Sequence, residues 1–482
     1  MDLERSFGPA YARGSLLRGS QAWAVIGTGE TESQAAVEGI LTLGILWLHH
    51  CREQAGGRRL YQGLKVVLPR GAAALTLSRM AWLRPEAALW ELYELHEPTE
   101  EITPCDLADR GNLRTRLIHH PDEHAARERF ARAVEQVMSL VPPLEHRRVE
   151  HRLRSTAELA FLLNGLEFAR ARISLAPGSF SHTLEITVGA GAAETPLTPD
   201  THAALSERVA ELFARRRASV PDAHELRGLR APARRIGTPS ASPAHSRVLR
   251  PGSRRHQITE NSAQDPLYRA VPERWLESVL RLDLAPLTRG LAPEPTQGHR
   301  RFEQFANDPD PDTRGNRLDL DSWSLPGQPP PDQRHSRVLP RLDPHHVYTQ
   351  VPAIAGASDR GLLDLLGVTA DGRLAVIELK ADDDLHFALQ GLDYWIRVRD
   401  HHLQSPDPGT GLGEFQRHGY FRGLELSPLP PRLYLVAPAL HIHPATETVL
   451  RYLSPGVEWS LLALDERWRS QVRVLWRKSH NG

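Results

Sequence analysis

Gly361-Leu-Leu-Asp-Leu-Leu-Gly-Val-Thr-Ala-Asp-Gly-Arg-Leu-Ala-Val-Ile-Glu-Leu-Lys380 is the most informative stretch of the chain. Two apolar runs flank Ala370-Asp371-Gly372, and a three-residue loop with Gly372 in the left-handed region is a common β-hairpin geometry. In that register Asp364 stands opposite Glu378, and the two-residue period of a strand puts Lys380 on the same face. A two-residue loop would set Asp364 opposite Leu379 instead. The first register is preferred, because it gathers three polar groups on one face and turns Ile377 and Leu379 toward the opposite core.

Two carboxylates in otherwise apolar strands are costly to bury unless a cation offsets them. Mg²⁺ suits such a place, since it takes oxygen ligands and keeps several waters, and Mn²⁺ is its usual substitute. Lys380 beside it can orient a water, help to deprotonate it, or neutralise charge on a five-coordinate phosphate. The 59 basic residues include only three lysines, Lys65, Lys380 and Lys478. A compact ammonium with an adjustable pKa is thus used where arginine, permanently charged, was otherwise preferred. The helix expected over 385–398 carries Gln390 and Tyr394 one turn apart, on one face.

Asp364, Glu378-Leu379-Lys380, Gln390 and Tyr394 together resemble the PD-(D/E)XK nuclease superfamily. The spacing is most similar to the branch of archaeal and actinobacterial mismatch or flap endonucleases, and the helix Glu273-Arg-Trp-Leu-Glu-Ser-Val-Leu resembles the first core helix of those enzymes. The resemblance implies an α/β fold with a restriction-endonuclease-like mixed sheet flanked by helices in the C-terminal half. It implies Asp364, Glu378 and the Leu379 carbonyl as metal ligands and Lys380 as the group that serves the attacking water. Glu273 would be an auxiliary acid, with Glu277 one turn away as its alternative, and Gln390 and Tyr394 would line the site. It covers roughly 272–464, and the N-terminal half does not match the DNA-reading domain of that branch.

The chain divides, on composition, into an α/β domain over 1–110, a second α/β domain over 111–233, a Pro/Ser/Gly/Arg-rich linker over 234–263, and the nuclease-like domain over 264–482 with a Pro-rich insertion over 285–344. Helices are expected over 35–53, 72–79, 123–141, 200–217, 272–280 and 445–453, and strands over 63–69, 184–189, 347–351 and 432–437. The first domain echoes the last in degenerate form. Trp23-Ala-Val-Ile-Gly-Thr-Gly-Glu parallels Leu374-Ala-Val-Ile-Glu-Leu-Lys-Ala, Glu38-Gly39 through His49-His50 has the spacing of Gln390-Gly391 through His401-His402, and 65–68 corresponds to 433–436. Gly27 and Gly29 then stand where Glu378 and Lys380 stand, so this copy could bind no metal.

Charge balances at 59 acidic against 59 basic residues, so no basic surplus announces a nucleic-acid binder. Arg254-Arg255, Arg300-Arg301 and the Arg397/Arg399 face are the candidate phosphate contacts, whereas Arg215-Arg216-Arg217 is expected to be a solvated helix end. His441 and His443 would share one face of a strand, without a third ligand for zinc. Cys51 and Cys105 are too few for a disulfide framework. No apolar run is long enough to span a membrane, and no signal-peptide layout, phosphate-binding loop or nucleophile elbow is present, so a cytoplasmic protein is expected. The expected activity is Mg²⁺-dependent hydrolysis of nucleic acid, DNA before RNA, by a protein for which a homodimer is open. Its rival is a noncatalytic nucleic-acid-binding or assembly protein that keeps a nuclease-like fold.

Overall fold

The computed structural model describes residues 10–56, 59–112, 115–175, 182–189, 194–218, 269–289, 340–355 and 359–480. The expected linker over 234–263, and with it Arg254-Arg255 and Arg300-Arg301, lies outside them. The described chain is mixed α/β and builds three sheets.

The first sheet has five strands, β1 (Ala12–Arg18), β2 (Gln21–Gly27), β3 (Leu60–Pro69), β4 (Leu89–His96) and β5 (Glu101–Pro104), in that spatial order. Strict alternation in β2 buries Ala22, Ala24 and Ile26 completely on the face toward the helices α1 (Gln34–Ala55) and α2 (Ala74–Met80). Ser33 caps α1 by accepting from the Ala36 N–H at 3.2 Å, and Gly56 closes it at φ 52°.

The middle sheet is antiparallel throughout, in the order β11 (Thr195–Pro196), β10 (His182–Val188), β9 (Leu166–Leu175), β8 (Glu158–Leu163), β7 (Val149–Ser155). Helices α3 (Glu123–Met138) and α4 (His202–Ala218) pack on it through Phe130, Ala133, Val137, Leu205, Val209 and Phe213. Asn164-Gly165 forms the two-residue turn between β8 and β9, both residues at positive φ, as the right-handed twist of a hairpin requires.

The third sheet has seven strands, in the order β17 (Val474–Ser479), β16 (Trp459–Leu464), β15 (Arg432–Pro438), β14 (Leu374–Leu379), β13 (Asp359–Val368), β12 (Tyr348–Ala355), β6 (Thr115–Leu117). β6 falls within the span assigned by composition to the middle domain, yet it pairs with β12 at the edge of this sheet. Three residues are too few to carry a strand signal of their own. Helix α5 (Pro272–Leu282) covers one face of the sheet, burying Trp275, Leu276 and Leu280 against Ile377, Leu379 and Val436. Helices α6 (Phe387–His402) and α7 (Pro444–Arg451) cover the other, and their core is continuous with that of the first sheet, so the outer parts of the sequence share one apolar interior.

The hairpin at the centre has the three-residue loop. Thr369 and Arg373 are bonded across it at 2.8 Å, Gly372 sits at φ 77°, and the ladder pairs Leu365 with Ile377. A Cβ at Gly372 would lie 2.9 Å from the Glu425 carbonyl oxygen, so sterics reinforce the dihedral requirement.

Candidate functional site

One step beyond the Leu365–Ile377 pair, the register sets Asp364 against Glu378. Asp364 lies in the middle of β13 and Glu378 near the end of β14, both between buried leucine or isoleucine neighbours, and the Leu379 N–H donates to Asp364 Oδ2 at 2.9 Å. The Leu379 side chain goes to the opposite face, into the core beneath α5. Lys380 continues β14 through its N–H to the Val436 carbonyl and is only 8% exposed. Its ammonium has Glu273 at 3.5 Å, Glu378 at 3.6 Å and Asp384 at 3.7 Å.

The electrostatics follow from burial. Glu378 is 1% exposed, and desolvation together with the Asp364 charge holds its pKa well above the ordinary carboxylate range. Burial likewise raises Asp364 to about 6, against the opposing effect of the Leu379 N–H and of Lys380. For Lys380, burial alone would favour the neutral amine, but Glu378, Glu273, Asp384 and Asp364 outweigh it and raise its pKa. The surrounding carboxylates therefore favour the charged form of Lys380, a donor and a positive charge. Tyr394 is kept protonated by burial and by the Glu378 and Asp364 charges, and its hydroxyl meets the Gln390 side chain.

Glu273 and Glu277 arrive from α5 with different surroundings. Glu273 reaches Lys380, whereas Glu277, 1% exposed, faces Arg152 of β7 at 3.0 Å and accepts from the Gln350 side chain at 2.9 Å. Burial pushes Glu277 up to about 7, with Arg152 opposing and Asp364 adding to the rise. Arg152 also pairs with Glu150 at 2.9 Å, and Glu150 with Arg281 at 2.7 Å. Gln350 stands at φ 51° between Thr349 and Val351, whose partners are Leu365 and Leu363, so it lies across from Asp364. A non-glycine residue held there costs of order 1–3 kcal/mol, a strain typical of places where a side chain must be aimed.

Asp384, Gln350 and Arg152 were not singled out by sequence. Asp384 had a signal, the Asp382-Asp383-Asp384 run one helical turn past Lys380; Arg152 and Gln350 had none. The other sequence candidates are placed elsewhere. Arg397 is buried with its guanidinium 5.7 Å from the Tyr394 ring, and Arg399 lies over Trp82 at 4.6 Å and pairs with Asp400, so neither forms a free phosphate-binding face. Arg216 is no solvated helix end: it is fully buried, stacks on Trp275 at 3.6 Å and donates to the Asn164 carbonyl. His441 and His443 are not on a strand, since β15 stops at Pro438; His441 ends a 3₁₀ turn and His443 caps α7 by accepting from the Ala445 N–H.

Among the described residues no group of three or more His, Cys, Asp or Glu side chains stands at metal-ligating spacing. Two carboxylates with a carbonyl and waters are a different ligand set, one that Mg²⁺ accepts. Glu378 Oε2 is buried without a hydrogen-bond partner among the described residues, and the adjoining carboxyls of Asp364 and Glu378 are both raised. The donor set thus fits a hard divalent cation. Among the described residues no helix is long and apolar enough to cross a membrane. Comparison of the chain with protein-family models, with curated proteins and with solved structures finds no match.

Proposed function

We propose that this protein is a metal-dependent nuclease that hydrolyses phosphodiester bonds of nucleic acid, DNA before RNA, in the cytoplasm. The observation that carries the proposal is the meeting of Asp364, Glu378 and Lys380 at one end of the central hairpin with Glu273 from a distant helix. The resemblance of these residues to the PD-(D/E)XK superfamily supports it. Asp364 and Glu378, with the Leu379 carbonyl, would hold Mg²⁺, which supplies Lewis-acid polarisation of a phosphate oxygen when bound. The chain's own residues do the rest. The Leu379 N–H fixes the rotamer of Asp364, while Glu273 and Asp384 hold the Lys380 ammonium at the mouth of the site. There it hydrogen-bonds a water or a phosphate oxygen and stabilises negative charge as it develops. Glu277, with a pKa of about 7, is suited to carry a proton at neutral pH, and Gln390 and Tyr394 offer neutral hydrogen-bond donors from α6.

The test is incubation of the purified protein with labelled single-stranded, duplex, flap and mismatched DNA, with and without Mn²⁺, beside the Glu378→Ala and Lys380→Ala variants. Metal-dependent cleavage that both substitutions abolish is the expected result. Salt-sensitive binding without cleavage, unchanged by either substitution, would overturn the proposal in favour of a noncatalytic nucleic-acid-binding or assembly protein.

A further inference from the structure

The first sheet has the topology of five strands of the third, β13 to β17. β1–β2 and β13–β14 are antiparallel hairpins, β2–β3–β4 and β14–β15–β16 are parallel runs, and β4–β5 and β16–β17 are antiparallel again. Helices α1 and α6 follow the second strand of each set, and α2 and α7 the third. The ladders agree residue by residue. Gly27 pairs with Ala12 and Val67, as Glu378 stands against Asp364 and Leu435, so Lys65–Leu68 falls on Leu433–Val436.

The two units also meet about a local two-fold axis. Leu83, just after α2, forms an antiparallel bridge with Leu453, just after α7. The Arg84 N–H donates to the Tyr452 carbonyl at 2.8 Å, and the Ser454 N–H donates to the Trp82 carbonyl at 2.7 Å. Each bond is the image of the other, which is the mark of an isologous contact. Helix α1 packs on α7 and, reciprocally, α2 on α6. Side-chain contacts also cross between the units. His386, in the loop after β14, meets Thr42 of α1 at 3.1 Å, and Arg79 bridges the Glu38 carbonyl of α1 to Asp393 of α6.

We infer that the chain is a pseudo-dimer in cis with one working and one emptied nuclease site, and that it cuts only one strand of nucleic acid per encounter. The inference rests on the nuclease reading above. In the emptied unit Ala12, Gly27 and Gly29 replace Asp364, Glu378 and Lys380, and Glu38 and Thr42 replace Gln390 and Tyr394. The corner is unsuited to a phosphate as well as unreactive. Glu97 Oε1 accepts the Glu30 N–H at 2.8 Å and lies 2.9 Å from where a Cβ on Gly29 would be, which turns a carboxylate toward the position Lys380 holds in the other unit. A symmetric nuclease dimer passes the two antiparallel strands of a duplex to two equivalent sites. In this chain the helices α1 and α2 of the first unit pack on α7 and α6 of the working unit, and one site is offered. Water therefore adds across one phosphorus–oxygen bond: its oxygen bonds to phosphorus, the bond to one sugar oxygen breaks, and that sugar leaves as an alcohol while the other keeps the phosphate.

The experiment is digestion of supercoiled plasmid and of a labelled single strand by the full chain with Mn²⁺, beside Glu378→Ala, with sedimentation at the assay concentration. A monomer that produces open circles first, linear DNA only later from independent nicks, and no cleavage of any kind in Glu378→Ala supports the inference; cleavage confined to the single strand supports it equally. Linear DNA appearing without an open-circle intermediate overturns it while leaving the nuclease reading standing; nicking that survives Glu378→Ala overturns both. Absence of any cleavage by the wild type with Mn²⁺ or Mg²⁺ overturns both.

Discussion

Asp364→Asn should stabilise the metal-free protein at neutral and alkaline pH. Burial lifts the Asp364 carboxyl from 3.8 to about 6, so in the folded state it holds its proton over an interval in which the unfolded chain has lost it. Where the folded state binds more protons, stability falls as pH rises. The penalty is absent below about pH 4, grows through pH 6 and is complete above it; the interval corresponds to ~3 kcal/mol. Asparagine keeps an oxygen to accept from the Leu379 N–H and removes the charge. Urea unfolding of wild type and Asp364→Asn in a chelator, at a series of pH values, should show curves that coincide near pH 4 and separate in favour of the variant by pH 8. A second arm isolates the cation: Mg²⁺ at a hundredfold excess over its dissociation constant should stabilise the wild type by ~2.7 kcal/mol and leave the variant unmoved. A variant no more stable than wild type at pH 8, or a difference equal at pH 4 and pH 8, would refute the claim that this carboxylate is held against its own electrostatics.

Arg79→Ala should cost ~3–5 kcal/mol, because it leaves the largely buried Asp393 carboxylate of α6 without its bidentate partner, and Asp393→Ala added to it should cost much less than the sum. Denaturant unfolding decides, and a loss below ~1 kcal/mol would mean that the pair does not join the two units. Gly391→Ala should destabilise by ~1–3 kcal/mol, since its Cβ would lie 2.5 Å from Leu435 Cδ2 and 3.7 Å from the Glu378 Cβ, and α6 would have to lift off the site. An unchanged thermal midpoint would contradict this. Asp371→Asn should lower the thermal midpoint more at pH 7 than at pH 2. Arg432, with help from Thr369, holds that carboxyl well below the usual range, so its contribution is complete above the unfolded pKa of 3.8 and declines progressively as pH falls from there toward the depressed folded value. Equal losses at both pH values would rule out the charge as the cause.

What could be read from the sequence was what is local. The Ala370-Asp371-Gly372 turn fixes its own register through one left-handed glycine, and that register alone aligns Asp364 with Glu378. The α1, α5 and α6 spans follow from side-chain period in the same way, with Ser33 capping α1. Residues brought in by tertiary packing were not legible. Arg152 sits in Val149-Glu-His-Arg-Leu-Arg-Ser, a run with nothing to distinguish it, and only the approach of β7 to α5 gives it a role. The charge pattern at the end of α4 is the same whether Arg216 is solvated or buried; Trp275 decides it. Other signals were present and went unread. Asn164-Gly165 between apolar runs is a strong hairpin signal, and the prolines at 438 and 444 bracket His441 and His443 too closely for a strand to continue.

The site cannot be what holds its own residues together. Among the described residues, Asp364, Glu378, Glu273, Glu277 and Asp384 gather about the two cations Lys380 and Arg152, and burial raises the carboxyls of Asp364, Glu378 and Glu277. Left to itself such a cluster would open toward water. It is kept closed from behind: Trp275 and Leu276 of α5 and Ile377 and Leu379 of β14 are all buried at the shared core, each worth ~1.5–3 kcal/mol, together roughly 6–12 kcal/mol against the ~3 kcal/mol that Asp364 opposes. The apolar side of the hairpin therefore imposes the arrangement that its polar side resists. On the proposed function, a divalent cation would relieve a repulsion that folding has already overcome. The same logic separates the two units. With Ala12, Gly27 and Gly29 in place of the charged residues, the first unit keeps the topology and the apolar core without the electrostatic penalty, so it should add stability to the pair while the third sheet alone carries the strained site.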